Sequence, residues 1–155
     1  MDYLMLKWLH ILSSTFLFGT GIGSAFYMLF TTLTRDVRAT AVVVRQVVIA
    51  DWMFTTPAII IQPLTGFMML QATGMPLAST WVAVSAGLYL LAGACWLPVV
   101  WLQIKMRDMA SEADRAGQPD LPAQYWRYFY CWVLLGIPAF VALVVVFWLM
   151  VTKPV

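Results

Sequence analysis

The sequence predicts an all-α polytopic membrane protein, a four-helix transmembrane bundle forming a single domain over residues 1–155 with both termini on the outer side. Three observations predict it. Hydrophobic residues make up 63% of the chain and charged residues 10%, where soluble domains carry about 25% charged residues. The apolar residues fall into four runs, each long enough at roughly 20 residues to cross a hydrocarbon core. The basic residues gather in the first connection (Arg35, Arg38, Arg45) and the third (Lys105, Arg107, Arg115, Arg127), while the second, residues 72–79, has none. The positive-inside rule then places the first and third connections in the cytoplasm and both chain ends outside.

The first span is expected near residues 4–33. Its apolar run from Trp8 to Leu33 far exceeds the roughly 7–15-residue core of a signal peptide, so it reads as a true span. The second is expected near residues 42–71, and Gly74 and Pro76 mark its end. Ser79 or Thr80 is the expected cap of the third span, near residues 80–104, which continues into water over Lys105–Ala116 until Gly117 and Pro119 stop it. The fourth lies near residues 128–151, with Asp120 expected as its N-cap.

Polar residues recur along one face of three spans. The first face carries His10, Ser14, Leu17, Gly21 and Ser24, and the second Asp51, Thr55, Ala58, Gln62 and Thr65. The third carries Ser85, Tyr89, Ala92, Trp96, Val99 and Gln103. Spacings of three and four keep such residues together on a helix and predict a partly polar interior. Small residues such as Thr15, Gly19 and Gly23 are accounted for by close helix packing, and Gly19 and Gly23 form a small-xxx-small face suited to a homodimer. Cys95 and Cys131 form no metal-binding cluster and are expected as buried packing residues. Pro57, Pro63, Pro98 and Pro138 interrupt three spans, each freeing the carbonyl four residues earlier: Met53, Ile59, Ala94 and Leu134.

Asp51 and His10 are the costly residues. An aspartate at the centre of a span costs about 2.5–3.5 kcal/mol on insertion scales, so it should face the interior and find a partner. A rise of 1.5 Å per residue places it roughly 14 Å in from Val42, level with residues 21–23, 95–98 and 131–136. The Thr55 hydroxyl, Trp96 and Trp132 are its expected company, with Arg45 or Arg127 reaching from the inner side. A structural role in holding helices together and a functional role both fit it.

His10, the chain's single histidine, lies about 9 Å into its span, level with Gln62–Thr65 and far from Asp51 in depth. One histidine without clustered carboxylates builds neither a hydrolytic triad nor a zinc site. Three roles stay open: a histidine hydrogen-bonded to a helix carbonyl or to Gln62, a proton relay, and a haem ligand with Met68 or Met69 as candidate second ligand. The net charge of +2 is spread over nine basic and seven acidic residues, which argues against nucleic acid as a partner.

The run Lys7-Trp8-Leu9-His10-Ile11-Leu12, followed by a glycine-bearing helix, resembles the first helix of the CopD-like superfamily, which includes HemJ-type protoporphyrinogen oxidases. The whole chain more closely resembles a family of small bacterial integral membrane proteins of unknown function in that superfamily. That resemblance is carried by residues 9–14, Gly19-Thr20-Gly21, Asp51-Trp52, Thr56-Pro57, Cys95-Trp96-Leu97-Pro98 and Gly136-Ile137-Pro138-Ala139. It implies a bacterial cytoplasmic membrane and supplies no activity. The HemJ resemblance implies haem b ligated by His10, with electron transfer or tetrapyrrole oxidation as the chemistry, although Gly19, Gly21 and Gly23 depart from that group's more aromatic, basic segment. The CopD branch implies copper passage, but the ten methionines are scattered along the chain. Two function classes follow: a bundle holding haem b, and a non-enzymatic subunit or small transporter that uses Asp51 and the proline-broken helices.

Overall fold

The structure, a computed structural model, describes residues 2–153. Every described element is helical: α1 (Tyr3–Leu33), α2 (Val37–Ala50), a π-helical turn (Asp51–Thr55), α3 (Thr56–Thr73), α4 (Thr80–Arg115) and α5 (Ala123–Thr152). The segment Val37–Thr73 is continuous through the π turn, which leaves four helices long and apolar enough to cross a membrane. Large apolar side chains such as Leu90, Leu97, Leu134, Trp148 and Val151 stand exposed around the bundle, the pattern of a surface solvated by lipid.

The helix ends follow local chemistry. Asp36 caps α2 by accepting the Ala39 amide at 2.8 Å, which satisfies one of the free donors of the first turn. Gly74 closes α3 in the left-handed conformation, with Met75 N–H bonded back to the Leu70 carbonyl. A backbone with φ of +67° costs glycine nothing and other residues more than a kilocalorie. Helix α4 runs past the apolar segment to Arg115, and Gly117 takes the same left-handed role beyond it.

The cap of α5 is Pro122 and not Asp120. Asp120 is engaged earlier in the loop, where it accepts the Leu121 amide at 2.8 Å and faces Arg35 at 3.7 Å. Pro122 supplies the extended backbone that enters the helix without a side-chain cap. Three of the four prolines leave their helices unbroken, since α3, α4 and α5 continue through Pro63, Pro98 and Pro138. Only Pro57 accompanies a change of helix type, standing two residues past the end of the π turn.

Helix α1 packs on α2 and α3, α2 packs on α4, and α4 packs on α5. The apolar core gathers toward the end that carries the charged connections, around Met28, Val44, Met106, Ala110, Tyr125 and Phe129. There the Thr32 and Tyr125 hydroxyls meet at 3.0 Å and join α1 to α5 inside the core. Farther along, these helices touch through Phe18, whose ring lies 5.5 Å from Phe140 and 5.1 Å from Phe147. Cys95 is half-buried and Cys131 exposed, correcting the expectation that both are buried; both sit away from the tightly packed seams. Gly19, Gly21 and Gly23 likewise have open space where a Cβ would stand, so no close crossing within the chain requires them.

Candidate functional site

Just beyond the core the four spans enclose a cavity of about 390 Å³. Its walls are aliphatic and aromatic: Leu17 and Phe18 from α1, Trp96 from α4, and Trp132, Val133 and Phe140 from α5. Asp51, Gln103 and Tyr89 give it its polar points. The exposed residues Ile22 and Ile137 also line it, so it reaches the lipid-facing surface between α1 and α5.

The π turn positions the carboxyl. The Thr56 amide bonds to the Asp51 carbonyl five residues back, and the Thr56 hydroxyl donates to that same carbonyl at 2.9 Å. Pro57 then offers no amide to the Met53 carbonyl in the preceding turn, and the helix returns to α geometry over one widened turn. Asp51 and Thr55 both project into the bundle, where the Thr55 hydroxyl donates to Asp51 Oδ1 at 2.9 Å. Gln103 approaches the same carboxyl from α4. Trp96 and Trp132 line the same cavity, at the depth that helix rise indicates. Arg45 and Arg127 are both exposed and form none of the ion pairs among the described residues, which are Arg35–Asp120 and Arg107–Asp108. Neither arginine therefore reaches Asp51; hydration holds their guanidinium groups at the surface.

Tyr89 has a specific task. Pro63 lacks the amide that would otherwise bond to the Ile59 carbonyl, and the Tyr89 hydroxyl donates to that carbonyl at 2.7 Å. A proline on α3 and a tyrosine on α4 thus form one unit, which pins the second span against the third.

His10 stands elsewhere, on the seam between α1 and α3. Its Nδ1 lies 2.8 Å from the Thr65 hydroxyl, which itself donates to the Ile61 carbonyl at 2.7 Å. With that hydroxyl proton committed, the imidazole Nδ1–H is the donor and Nε2 keeps its lone pair, a tautomer assigned from the network. The ring packs on Gly66, where a Cβ would sit 3.3 Å from His10 Cε1. One turn on, the Ser13 hydroxyl donates to Gln62 Oε1, completing a polar seam of four side chains.

Of the residues singled out in the sequence, the second-span stripe Asp51, Thr55, Ala58, Gln62 and Thr65 is buried throughout. It divides between two places: Asp51 and Thr55 face the cavity, Gln62 and Thr65 the His10 seam. Ser14 turns back to its own helix, donating to the Ile11 carbonyl at 2.7 Å; its neighbour Ser13 holds the interior position. Met68 is exposed and Met69 half-buried, and neither lines the cavity. Ser13, Gly66 and the π turn escaped the sequence reading. A serine next to the expected polar stripe and a glycine one residue after Thr65 were the available signals.

The chain belongs to a family described as "predicted integral membrane protein (DUF2269)", whose model matches residues 4–154. No curated protein and no solved structure matches it.

Proposed function

We propose that this member of the DUF2269 family binds a small, largely apolar molecule between its helices and holds or passes it within the bilayer, as a non-enzymatic membrane subunit or small transporter. One observation carries the reading: a cavity of about 390 Å³ with apolar walls, a single carboxyl and a reach to the lipid face. Ligand sites commonly occupy about 300–1,000 Å³ and combine such walls with a few polar groups. The widened turn beneath Asp51 supports the reading, since π turns recur at functional sites. The bacterial cytoplasmic membrane, with both termini in the periplasm, is the orientation consistent with the basic connections.

Photolabelling tests it. A small apolar diazirine alcohol should attach to cavity residues such as Trp96 and Trp132 as well as to lipid-facing ones. Gly93→Leu and Gly136→Leu, which grow side chains into open space on the cavity wall, should abolish the first class of adduct and spare the second. Labelling confined to lipid-facing positions, or unchanged by both variants, would overturn the proposal.

Haem b on His10 is a second reading, favoured by a single observation. The Thr65 hydroxyl holds Nδ1–H and leaves Nε2 free, the arrangement in which a protein presents a histidine to a metal. Among the described residues no histidine, cysteine or methionine lines the cavity, so a haem ligated here would belong to the α1–α3 seam. Bound there, haem would supply one-electron chemistry, with His10 as its ligand and Thr65 orienting the ring. A Soret band in protein expressed with haem precursor, lost in His10→Ala, would support this reading. A colourless, well-folded protein would contradict it.

A further inference from the structure

The cavity carries an unbalanced set of polar groups. Asp51 is 5% exposed, and no lysine, arginine or histidine lines the space it faces among the described residues. The other ionisable group there is Tyr89, whose hydroxyl is committed to the Ile59 carbonyl. Two further buried atoms lack hydrogen-bond partners, Gln103 Oε1 and Trp132 Nε1, on side chains 4% and 7% exposed. Both side chains line the cavity with Asp51. Buried polar groups are rarely left unpaired, and an isolated carboxylate in an apolar medium is more costly still.

We propose that the ligand is an organic ammonium ion with apolar substituents and one hydrogen-bond acceptor. This inference rests on the cavity reading above and specifies its ligand. The ammonium N–H groups satisfy both the Asp51 carboxylate and Gln103 Oε1, two acceptors that no group of the chain fully serves. The ligand's acceptor takes the Trp132 indole N–H. Trp96 and Trp132 present aromatic rings along the same wall, which attract a cation through the negative faces of their π systems. The opening past Ile22 and Ile137 admits the apolar substituents from the bilayer. An anionic ligand meets like charge at Asp51. A neutral hydrocarbon leaves Asp51, Gln103 and Trp132 as they are.

The test compares 3-phenylpropylamine, protonated at neutral pH, with 3-phenylpropan-1-ol, a neutral molecule of the same shape. Binding is followed by tryptophan fluorescence of the full chain in nanodiscs, with Gly136→Leu as the filled-cavity control. The wild type should prefer the ammonium by about tenfold or more, the scale of a charge-assisted hydrogen bond joined to a cation–π contact. Asp51→Asn keeps an oxygen to accept from Thr55 and should bind both probes alike, by losing the ammonium's advantage. Equal binding of the two probes by the wild type would overturn the ammonium assignment and leave the cavity reading intact. Binding of neither, or binding undiminished in Gly136→Leu, would overturn the cavity reading and this assignment together.

Discussion

Replacing Tyr89 with phenylalanine removes one oxygen and should leave without a partner the Ile59 carbonyl that Pro63, on the preceding span, cannot serve. The Tyr89 hydroxyl donates to the Ile59 carbonyl at 2.7 Å, the acceptor Pro63 cannot serve. Losing a hydrogen bond costs about 0.5–1.5 kcal/mol, and leaving a buried acceptor unpaired raises this to about 1–3 kcal/mol. Measured side-chain hydrogen bonds between membrane helices are weaker, about 0.6 kcal/mol on average and at most about 1.7 kcal/mol. Together these bounds put Tyr89→Phe at about 1–1.5 kcal/mol destabilising. The cause is isolated by the second mutation, Pro63→Ala, which returns an amide to the helix and gives the Ile59 carbonyl a partner within α3. In that background Tyr89→Phe should cost less than about 0.5 kcal/mol, a coupling of about 1 kcal/mol between residues on different spans. A double-mutant cycle of reversible unfolding in mixed micelles, followed by far-ultraviolet circular dichroism, measures it. An equal cost of Tyr89→Phe in both backgrounds would refute the reasoning, because the proline and the tyrosine would then be energetically independent.

Three further outcomes follow from the geometry. Gly93→Leu and Gly136→Leu meet nothing within 4 Å at the new Cβ and escape glycine's helix penalty of about 1 kcal/mol, so each should unfold at the same denaturant concentration as wild type or higher; a marked loss would mean that the space is not open. Gly66→Ala gains the same propensity but presses its methyl to 3.3 Å from His10 Cε1, so it should be near neutral in wild type and stabilising by about 1 kcal/mol in His10→Ala; identical effects in the two backgrounds would remove His10 as the reason for that glycine. Arg35 and Asp120 face each other at 3.7 Å with side chains 69% and 52% exposed, so Asp120→Asn should change stability by less than about 1 kcal/mol; a larger loss in a chemical unfolding curve would assign the pair a structural role that its exposure argues against.

The second span was the most legible part of the chain because its polar residues are isolated among apolar ones. Asp51, Thr55, Gln62 and Thr65 fall on one face only if the segment is helical, and the insertion cost of a carboxyl demands that this face point inward. The first span was ambiguous because Ser13 and Ser14 are adjacent and chemically alike. Gln62, on another helix, decides between them, and spacing within one helix carries no information about that partner. Glycines misled for a related reason. Gly19 and Gly23 advertise close packing but meet no neighbour within the chain, whereas Gly66 takes its meaning from an imidazole fifty-six residues away in sequence. The free Ile59 carbonyl was foreseeable from the missing amide of Pro63, but its acceptance of the Tyr89 hydroxyl was set by the way the third span docks. The π turn had Pro57 as its only local sign, a residue equally compatible with a simple kink. At the last helix, Asp120 has the ordinary chemistry of a cap, yet Arg35 and the Leu121 amide engage it two residues too early.

The most direct measurement is an X-ray structure of a crystal grown in a lipidic phase, soaked with a brominated 3-phenylpropylamine and read by anomalous scattering from the bromine. Bromine density between Trp96 and Trp132, with the ammonium against Asp51 and the signal absent in Gly136→Leu, is the expected result. Bromine found only along lipid-facing grooves or beside His10, with an undisturbed apolar void at Asp51, would contradict the assignment of the cavity as the binding site.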